Sequence, residues 1–293
     1  MTKQEFQKLT EQEIVLLDGA TGSNFRKAGM PVGICTELWA LEHPDIVKEL
    51  QSAYVKAGSQ IIYAPTFSAN RISLSMHGLQ DRLEELNKGL LALSKEAAGG
   101  QAYVAGDVTT TGKMLEPRGE ITYHELYEVY REQIQVLAEN GADLLIAETM
   151  LDVEETLVVL DAARSVCDLP VMCTLTLEAD GSAVYGGTAV EMVETLQEMG
   201  AAAVGLNCSV GPDQLEAVVA SMKRVARVPI IAKPNAGMPT IDELGNAHYD
   251  MSPEHFAASM KRLVQCGASV VGGCCGTTPE YIALLAETLG KAR

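Results

Sequence analysis

Three cysteines stand where apolar runs of the sequence give way to glycine-rich loops. Cys274 and Cys275 lie between Gly272-Gly273 and Gly276, and Cys208 closes another apolar run. Three thiolates at the ends of strands can hold a zinc ion and leave one coordination position open. These residues therefore predict a zinc site that can accept a further ligand.

The same cysteines could also be structural. Cysteine is among the most buried residue types, so an adjacent pair could fill a core or form a strained disulfide. Neighbours on a regular strand point to opposite faces, and Cys274 and Cys275 can face one ion only where the strand ends or bends. The flanking glycines permit such a departure, and Cys208 has a matching position, which favours the metal site.

Polar residues end other apolar runs in the same way. Asp18 and Glu148 each follow a buried run, and Asn235 follows Lys233-Pro234. A site with three thiolates is soft and favours a fourth sulfur ligand, whose proton would be lost near neutral pH. The resulting thiolate could attack an alkyl group, while two carboxylates would suit an ammonium group. A small amino acid with a thiol is therefore a suitable substrate, and Lys233 receives no role because its side chain could simply reach water.

Composition limits the function classes. Among 293 residues there are 22 Lys and Arg against 39 Asp and Glu, a formal net charge of −17. This balance argues against nucleic acid or an anionic membrane as a partner. The first residues lack an apolar signal core, and no run is long enough to span a bilayer. Seven cysteines, an odd number, suit a reducing compartment, so a cytoplasmic location is expected.

Eight short apolar runs, each followed by a helical pattern, must position these residues. The runs do not alternate polar and apolar residues, which is typical of parallel strands buried on both faces. They occupy residues 14–20, 60–67, 102–108, 143–149, 170–177, 203–208, 229–237 and 270–275. The helical patterns occupy residues 44–57, 80–98, 123–140, 153–166, 189–199, 213–225, 253–266 and 279–289, and a loop is expected at 242–246.

This arrangement predicts an α/β fold, a (β/α)8 TIM barrel of parallel strands, as one domain over residues 1–293; a doubly wound open sheet is the alternative. In such barrels the active site lies at the C-terminal ends of the strands. We therefore expect one cluster made of Asp18, Glu148, Cys208, Asn235, Cys274 and Cys275.

With these residues collected, the chain resembles the homocysteine S-methyltransferase family. Its Pro-Asn-Ala-Gly-Met-Pro and Gly-Cys-Cys-Gly-Thr-Thr-Pro forms are similar to the homocysteine-binding module of the cobalamin-dependent methionine synthase branch. Ala64-Pro65-Thr66-Phe67 departs from the more usual Thr-Asn-Thr-Phe. The resemblance rests on stretches 17–20, 147–149, 205–208, 234–239 and 272–279.

The resemblance implies zinc on Cys208, Cys274 and Cys275, with the sulfur of L-homocysteine in the fourth position. It further implies that Asp18 and Glu148 hold the amino group of the substrate. Asn235 would lie beside the metal and occupy the open position when substrate is absent.

The resemblance also implies a methyl donor. Methylcobalamin is expected, brought by a separate corrinoid protein or by modules that this sequence does not contain. S-methylmethionine, S-adenosylmethionine, betaine and a different thiol acceptor are the alternatives.

Two other functions stay open from the sequence. The glycine-rich loop before the last helix could bind phosphate, as in many barrels, and a lyase or isomerase would then use Glu148 or Lys233. The protein could instead be a non-catalytic zinc-binding partner of a corrinoid protein. Zinc content and conversion of homocysteine would separate the three.

Overall fold

The computed structural model describes residues 1–242 and 247–291. Of the loop expected at 242–246, only Asp242 is among them. Within these two ranges the strands are β1 (Val15–Leu16), β2 (Ile61–Tyr63), β3 (Tyr103–Thr109), β4 (Leu144–Met150), β5 (Val171–Leu175), β6 (Ala203–Asn207), β7 (Ile230–Lys233), β8 (Thr240–Ile241), β9 (Ala247–His248) and β10 (Ala268–Val271).

Helices follow most of the strands. Over the same residues they are α1 (Lys3–Gln12), α2 (Gly22–Lys27), α3 (Thr36–Glu42), α4 (Pro44–Ala57), α5 (Arg71–Ser75), α6 (Leu83–Ala98), α7 (Tyr123–Glu139), α8 (Val153–Val166), α9 (Ala189–Glu198), α10 (Glu216–Val225), α11 (Pro253–Cys266) and α12 (Pro279–Thr288). Short 3-10 helices at Gln80–Arg82 and Pro212–Gln214 precede α6 and α10. None of the described helices is both long and apolar enough to cross a membrane.

Eight of the described strands form one parallel sheet that closes on itself. Their order is β1-β10-β7-β6-β5-β4-β3-β2. A parallel bridge between Leu17 and Ile61 joins the two ends, and the Gln60 amide donates to the Leu16 carbonyl at 2.7 Å. The predicted (β/α)8 barrel is confirmed and the open-sheet alternative is wrong. A short antiparallel pair of strands, β8 with β9, lies outside this sheet.

The barrel interior is apolar towards the N-terminal ends of its strands. Phe6 of α1 is 1% exposed and packs against these inward side chains, so α1 closes that end. The capping box of Thr2 and Glu5 fixes where α1 begins. The inward side chains are Val15, Leu17, Ile61, Tyr63, Ala105, Leu144, Ile146, Met172, Ala203, Ile231 and Val270.

Helix bounds follow the sequence patterns more closely than strand bounds do. Helices α4, α8 and α11 have the predicted limits. β1 is shorter than the predicted run 14–20, because the chain leaves the sheet after Leu17 and carries Asp18 to the rim. Helices α2 and α3, which the patterns did not predict, lie in the loop that follows β1.

Candidate active site

The three predicted cysteines meet at the C-terminal ends of the strands. The sulfur atoms of Cys208, Cys274 and Cys275 all lie within 4.8 Å of one another. The Cys208 and Cys275 sulfurs are 3.6 Å apart, and all three residues are free cysteines. Three convergent thiols from two loops are a donor set that fits a thiophilic ion such as Zn²⁺.

A left-handed backbone conformation directs Cys208. Its φ is 49°, and Thr149 at the end of β4 has φ 55°. Non-glycine residues rarely adopt this conformation, which costs free energy and persists only where neighbours hold it. The buried Asn207 supplies that support: its amide nitrogen donates to the Thr149 hydroxyl at 2.7 Å, and its amide oxygen accepts from the Thr149 backbone at 2.9 Å. Asn207 therefore links the two strained turns beside the cysteines.

Glycines let the chain after β10 approach its neighbours. A Cβ on Gly272 would lie 2.6 Å from the Asp18 carbonyl oxygen, and one on Gly273 would lie 2.6 Å from the Thr277 side chain. With no Cβ there, the Gly273 amide donates to the Asp18 carbonyl at 3.1 Å. The Cys274 amide donates to the Pro234 carbonyl at 2.7 Å. This bonding joins the cysteine pair to the Asp18 loop and to the segment after β7.

Asp18 and Glu148 flank a buried lysine. Lys233 Nζ lies 3.4 Å from Asp18 Oδ1 and 3.3 Å from Glu148 Oε1, and 4.8 Å from the centre of the Tyr63 ring. The Tyr63 backbone amide donates to Asp18 Oδ2 at 2.8 Å. Burial raises the pKa of Asp18 to about 6, although the Lys233 ammonium opposes that shift. Glu148 and the other two charged groups are each less than 9% exposed, so this ion cluster lies in a largely water-free setting.

Asp107 is a third acid at this level of the barrel. It is 4% exposed, and it lies on the strand next to that of Glu148 and faces the same space. Burial, together with the nearby Glu148 charge, raises the pKa of Asp107 well above its ordinary value.

The three thiols perturb one another. Contacts with Cys208 and Cys274 lower the pKa of Cys275 to about 3, and contacts within the group raise the pKa of Cys208. The nearby Tyr249 hydroxyl also lowers the pKa of Cys275.

The three thiols and the charged groups described above line one cavity of about 460 Å³, which we call the acceptor cavity. Its upper wall comes from the loops after β1 and β2 and includes Glu37 and Phe67. The functional groups that face it are Asp18, Asp107, Glu148, Cys208, Lys233, Cys274 and Cys275. A polar amino acid with a thiol is within the size that such a volume accepts.

Asn235 lies next to the cysteine segment. Its amide nitrogen donates to the Ser209 carbonyl at 2.7 Å, and the adjacent Ala236 amide donates to the Cys275 carbonyl at 2.9 Å. Among the described residues no donor reaches its buried Oδ1 atom. The predicted part of Asn235 in the site stays a prediction.

Two groups of the cluster, Asp107 and Lys233, are functional residues that the sequence patterns did not predict. Asp107 ends the β3 run just as Asp18 and Glu148 end theirs, so its position was a usable signal. The sequence alone gives Lys233 no role, since a long side chain at that position can reach water. In the folded chain it is 3% exposed and points into the barrel between two carboxylates.

The chain has relatives among known protein families and curated proteins. A family model described as homocysteine S-methyltransferase matches residues 15–289. A methionine synthase of Mycobacterium tuberculosis is 27% identical over 300 residues, which are 96% of this chain and 25% of that protein. One of Mycobacterium leprae is 26% identical over 298 residues, 96% of this chain and 24% of that protein. The chain thus spans about a quarter of the curated relatives it matches.

Solved structures share the fold. The homocysteine methyltransferase MmuM of Escherichia coli, in the form described as metallated, has a TM-score of 0.80 and 22% sequence identity. The match covers 96% of this chain and 98% of that one. The oxidised form of the same protein has the same TM-score and identity.

Proposed function

This chain belongs to the homocysteine S-methyltransferase family, and we propose that it is a zinc-dependent enzyme that methylates the sulfur of L-homocysteine to give methionine. The observation that carries the proposal is the content of the acceptor cavity. Three thiols within 4.8 Å of one another and two buried carboxylates face the same space. Sulfur ligands at one place and an ammonium-binding pair at another match the two ends of homocysteine.

Cys208, Cys274 and Cys275 would hold the ion. Their thiols are near enough to converge on one centre, and three protein ligands leave a position for a sulfur from the substrate. When bound, Zn²⁺ supplies the Lewis acidity that makes a thiol lose its proton near neutral pH. The oxygen of Asn235 that lacks a donor is a candidate for the position that the substrate sulfur takes.

The residues of this chain orient the acceptor. Asp18 and Glu148 would take the substrate ammonium by charge-assisted hydrogen bonds, and their burial strengthens those bonds. The sulfur end would then point at the thiols, away from the carboxylates. In the transfer, the acceptor sulfur forms a bond to the methyl carbon while the bond between that carbon and the donor breaks, its electron pair leaving with the donor. No base on the protein needs to take a proton in that step.

We propose methylcobalamin as the donor, delivered by a corrinoid protein or module outside this chain. The support is the resemblance of the cysteine and asparagine segments to the cobalamin branch, together with the similarity to methionine synthases that are about four times longer. We take residues 1–293 as one homocysteine-binding domain. Its free cysteines suit a reducing compartment, and we place the protein in the cytoplasm.

Calorimetric titration with L-homocysteine tests the proposal. The zinc-loaded protein should bind it with release of about one proton from the thiol, and the chelated protein should not. Methyl transfer is then measured with methylcobalamin, S-methylmethionine and betaine in parallel. Absence of zinc in the purified protein, or unchanged binding after chelation, would overturn the assignment.

A further inference from the structure

The position of Lys233 raises a difficulty for substrate binding. Its ammonium already lies within 3.4 Å of Asp18 Oδ1 and Glu148 Oε1. A substrate ammonium placed against the same two oxygens would be attracted by the two carboxylates but repelled by the Lys233 ammonium. In a buried setting this repulsion is screened only weakly. The pair of carboxylates is thus not sufficient for a cationic substrate.

The carboxylate oxygens themselves indicate what is missing. Asp18 Oδ1 and Glu148 Oε1 have the Lys233 ammonium as a partner, whereas Asp107 Oδ1 is buried and no donor among the described residues reaches it. Buried polar atoms without partners cost free energy, and such atoms in a cavity point to a ligand that supplies the donors. An ammonium group has three N–H donors, so it can supply one to Asp107 Oδ1 while it also contacts Asp18 and Glu148.

The charges of the cluster agree with this count. Asp18, Asp107 and Glu148 face one lysine, so the ionised cluster carries a charge of −2, or −1 with Asp107 protonated. With Asp107 ionised, the cluster keeps a charge of −1 after an ammonium is added, and a nearby ammonium favours that ionised form. Without Asp107 the same cluster would be neutral, with two carboxylates facing two ammonium groups that repel each other.

The register of β3 against β4 places the Asp107 carboxyl beside Glu148. Asp107 lies on β3 two residues before Thr109, which pairs with Glu148 of β4, so the two acids project from neighbouring strands into the barrel. The Thr66 hydroxyl and its neighbours bond only to the Asp107 backbone, which leaves the carboxyl available to the acceptor cavity.

We propose that Asp107 is a third ligand of the acceptor's ammonium group. With Asp18 and Glu148 it completes a subsite that binds this ammonium despite the positive charge of the nearby Lys233. This inference rests on the proposed function, because it takes an amino-acid thiol as the acceptor. Asp107 is a substrate-binding residue in this assignment, and Lys233 is the positioning counter-ion of the subsite.

The test compares two thiols on the zinc-loaded protein. One is L-homocysteine and the other is 4-mercaptobutanoate, which has the same chain and carboxylate but no amino group. The variant is Asp107→Asn, which keeps the side-chain volume and can donate to Glu148 but cannot carry a charge. We expect its dissociation constant for homocysteine to rise about tenfold, the size of one lost charge-assisted contact. That for 4-mercaptobutanoate should change less than about twofold.

The control is Glu155→Gln. Glu155 is also a buried acid, but it accepts hydrogen bonds from Thr110, Thr111 and Tyr130 and does not face the acceptor cavity. It should leave the ratio of the two dissociation constants unchanged, and zinc content should be normal in both variants. Because the ratio is measured on one preparation, partial misfolding does not alter it.

The outcomes are distinguishable. If Asp107→Asn weakens both thiols equally, or neither, the assignment of Asp107 is wrong while the proposed function stands. If the wild-type protein binds neither thiol in a zinc-dependent way, the proposed function fails and the inference fails with it.

Discussion

The sulfur atoms of Cys208 and Cys275 lie 3.6 Å apart although 67 positions separate the two residues in the chain. Cys208 follows β6 and Cys275 follows β10, and β7 lies between these strands in the sheet. The contact therefore spans one intervening strand. It depends on the left-handed turn at Cys208 and on the glycines before Cys274, which turn both thiols towards the same point.

Replacing Cys208 with serine should remove zinc and turnover together. A hydroxyl is a poor substitute for a thiolate ligand on Zn²⁺, and two remaining thiols leave the site incomplete. Zinc bound per chain, by elemental analysis, should fall from about one towards zero. Cys266→Ser is the matched control, since Cys266 is at the end of an outer helix. Full activity of Cys208→Ser without metal would refute the site.

Replacing Glu148 with alanine should weaken homocysteine binding and leave zinc in place. The change removes one partner of the substrate ammonium, and such charge-assisted bonds contribute about 1.5–3 kcal/mol, or roughly 10- to 100-fold in affinity. Calorimetry and zinc analysis on the same sample measure both properties. Loss of zinc from this variant would mean that Glu148 supports the metal site instead.

Affinity for homocysteine should fall as the pH drops through about 6. Burial raises the pKa of Asp18 to about 6, so the carboxylate that the ammonium needs becomes a neutral acid below that pH. The thiol also loses a proton on binding, and 4-mercaptobutanoate corrects for that contribution. Below pH 6 the dissociation constant for homocysteine should depend on pH more steeply than that for 4-mercaptobutanoate, by about one proton. Asp18→Asn should abolish this difference. Parallel curves for the wild-type protein would count against Asp18.

The raised pKa of Asp18 also affects folding stability, which depends on pH in the direction opposite to that of homocysteine affinity. The folded pKa of Asp18, about 6, exceeds its ordinary value of 3.8, so the native state binds the proton more tightly than the unfolded chain does. This carboxyl therefore contributes stability at low pH that is lost as the pH rises through 6. In Asp18→Asn this part of the pH dependence of urea unfolding should disappear, and an unchanged profile would contradict the assignment.

Replacing Lys233 with methionine should destabilise the fold at neutral pH. It leaves two buried carboxylates without their cation, and breaking a buried ion pair from one side costs about 3–5 kcal/mol. Urea unfolding should show a large loss at pH 7 and a smaller one near pH 5, where the acids take up protons. The matched control is Lys95→Met, whose pair with Asp143 is partly exposed to solvent and is worth under about 1 kcal/mol. Equal losses in the two variants would contradict the buried ion cluster.

Local patterns in the sequence predicted the elements well. The limits of α4, α8 and α11 could be predicted because the signals that start and end a helix, and its apolar spacing, are local to that helix. The position of the cysteines, Asp18 and Glu148 at the ends of strands could be predicted because each interrupts an apolar run at its end. The identity of the ion and the methyl donor stay predictions, since neither follows from side-chain positions alone.

By itself, the sequence determined that parallel strands alternate with helices and that thiols and acids gather at one end of the strands. Only the tertiary structure decided how those groups face one another. Whether Lys233 reaches water or lies between Asp18 and Glu148 depends on closure of the barrel, which joins strands far apart in the chain. The contact of Asp107 with Glu148 likewise depends on the register of β3 against β4. Burial and charge pairing arise from contacts between distant segments, and spacing along the chain does not encode them.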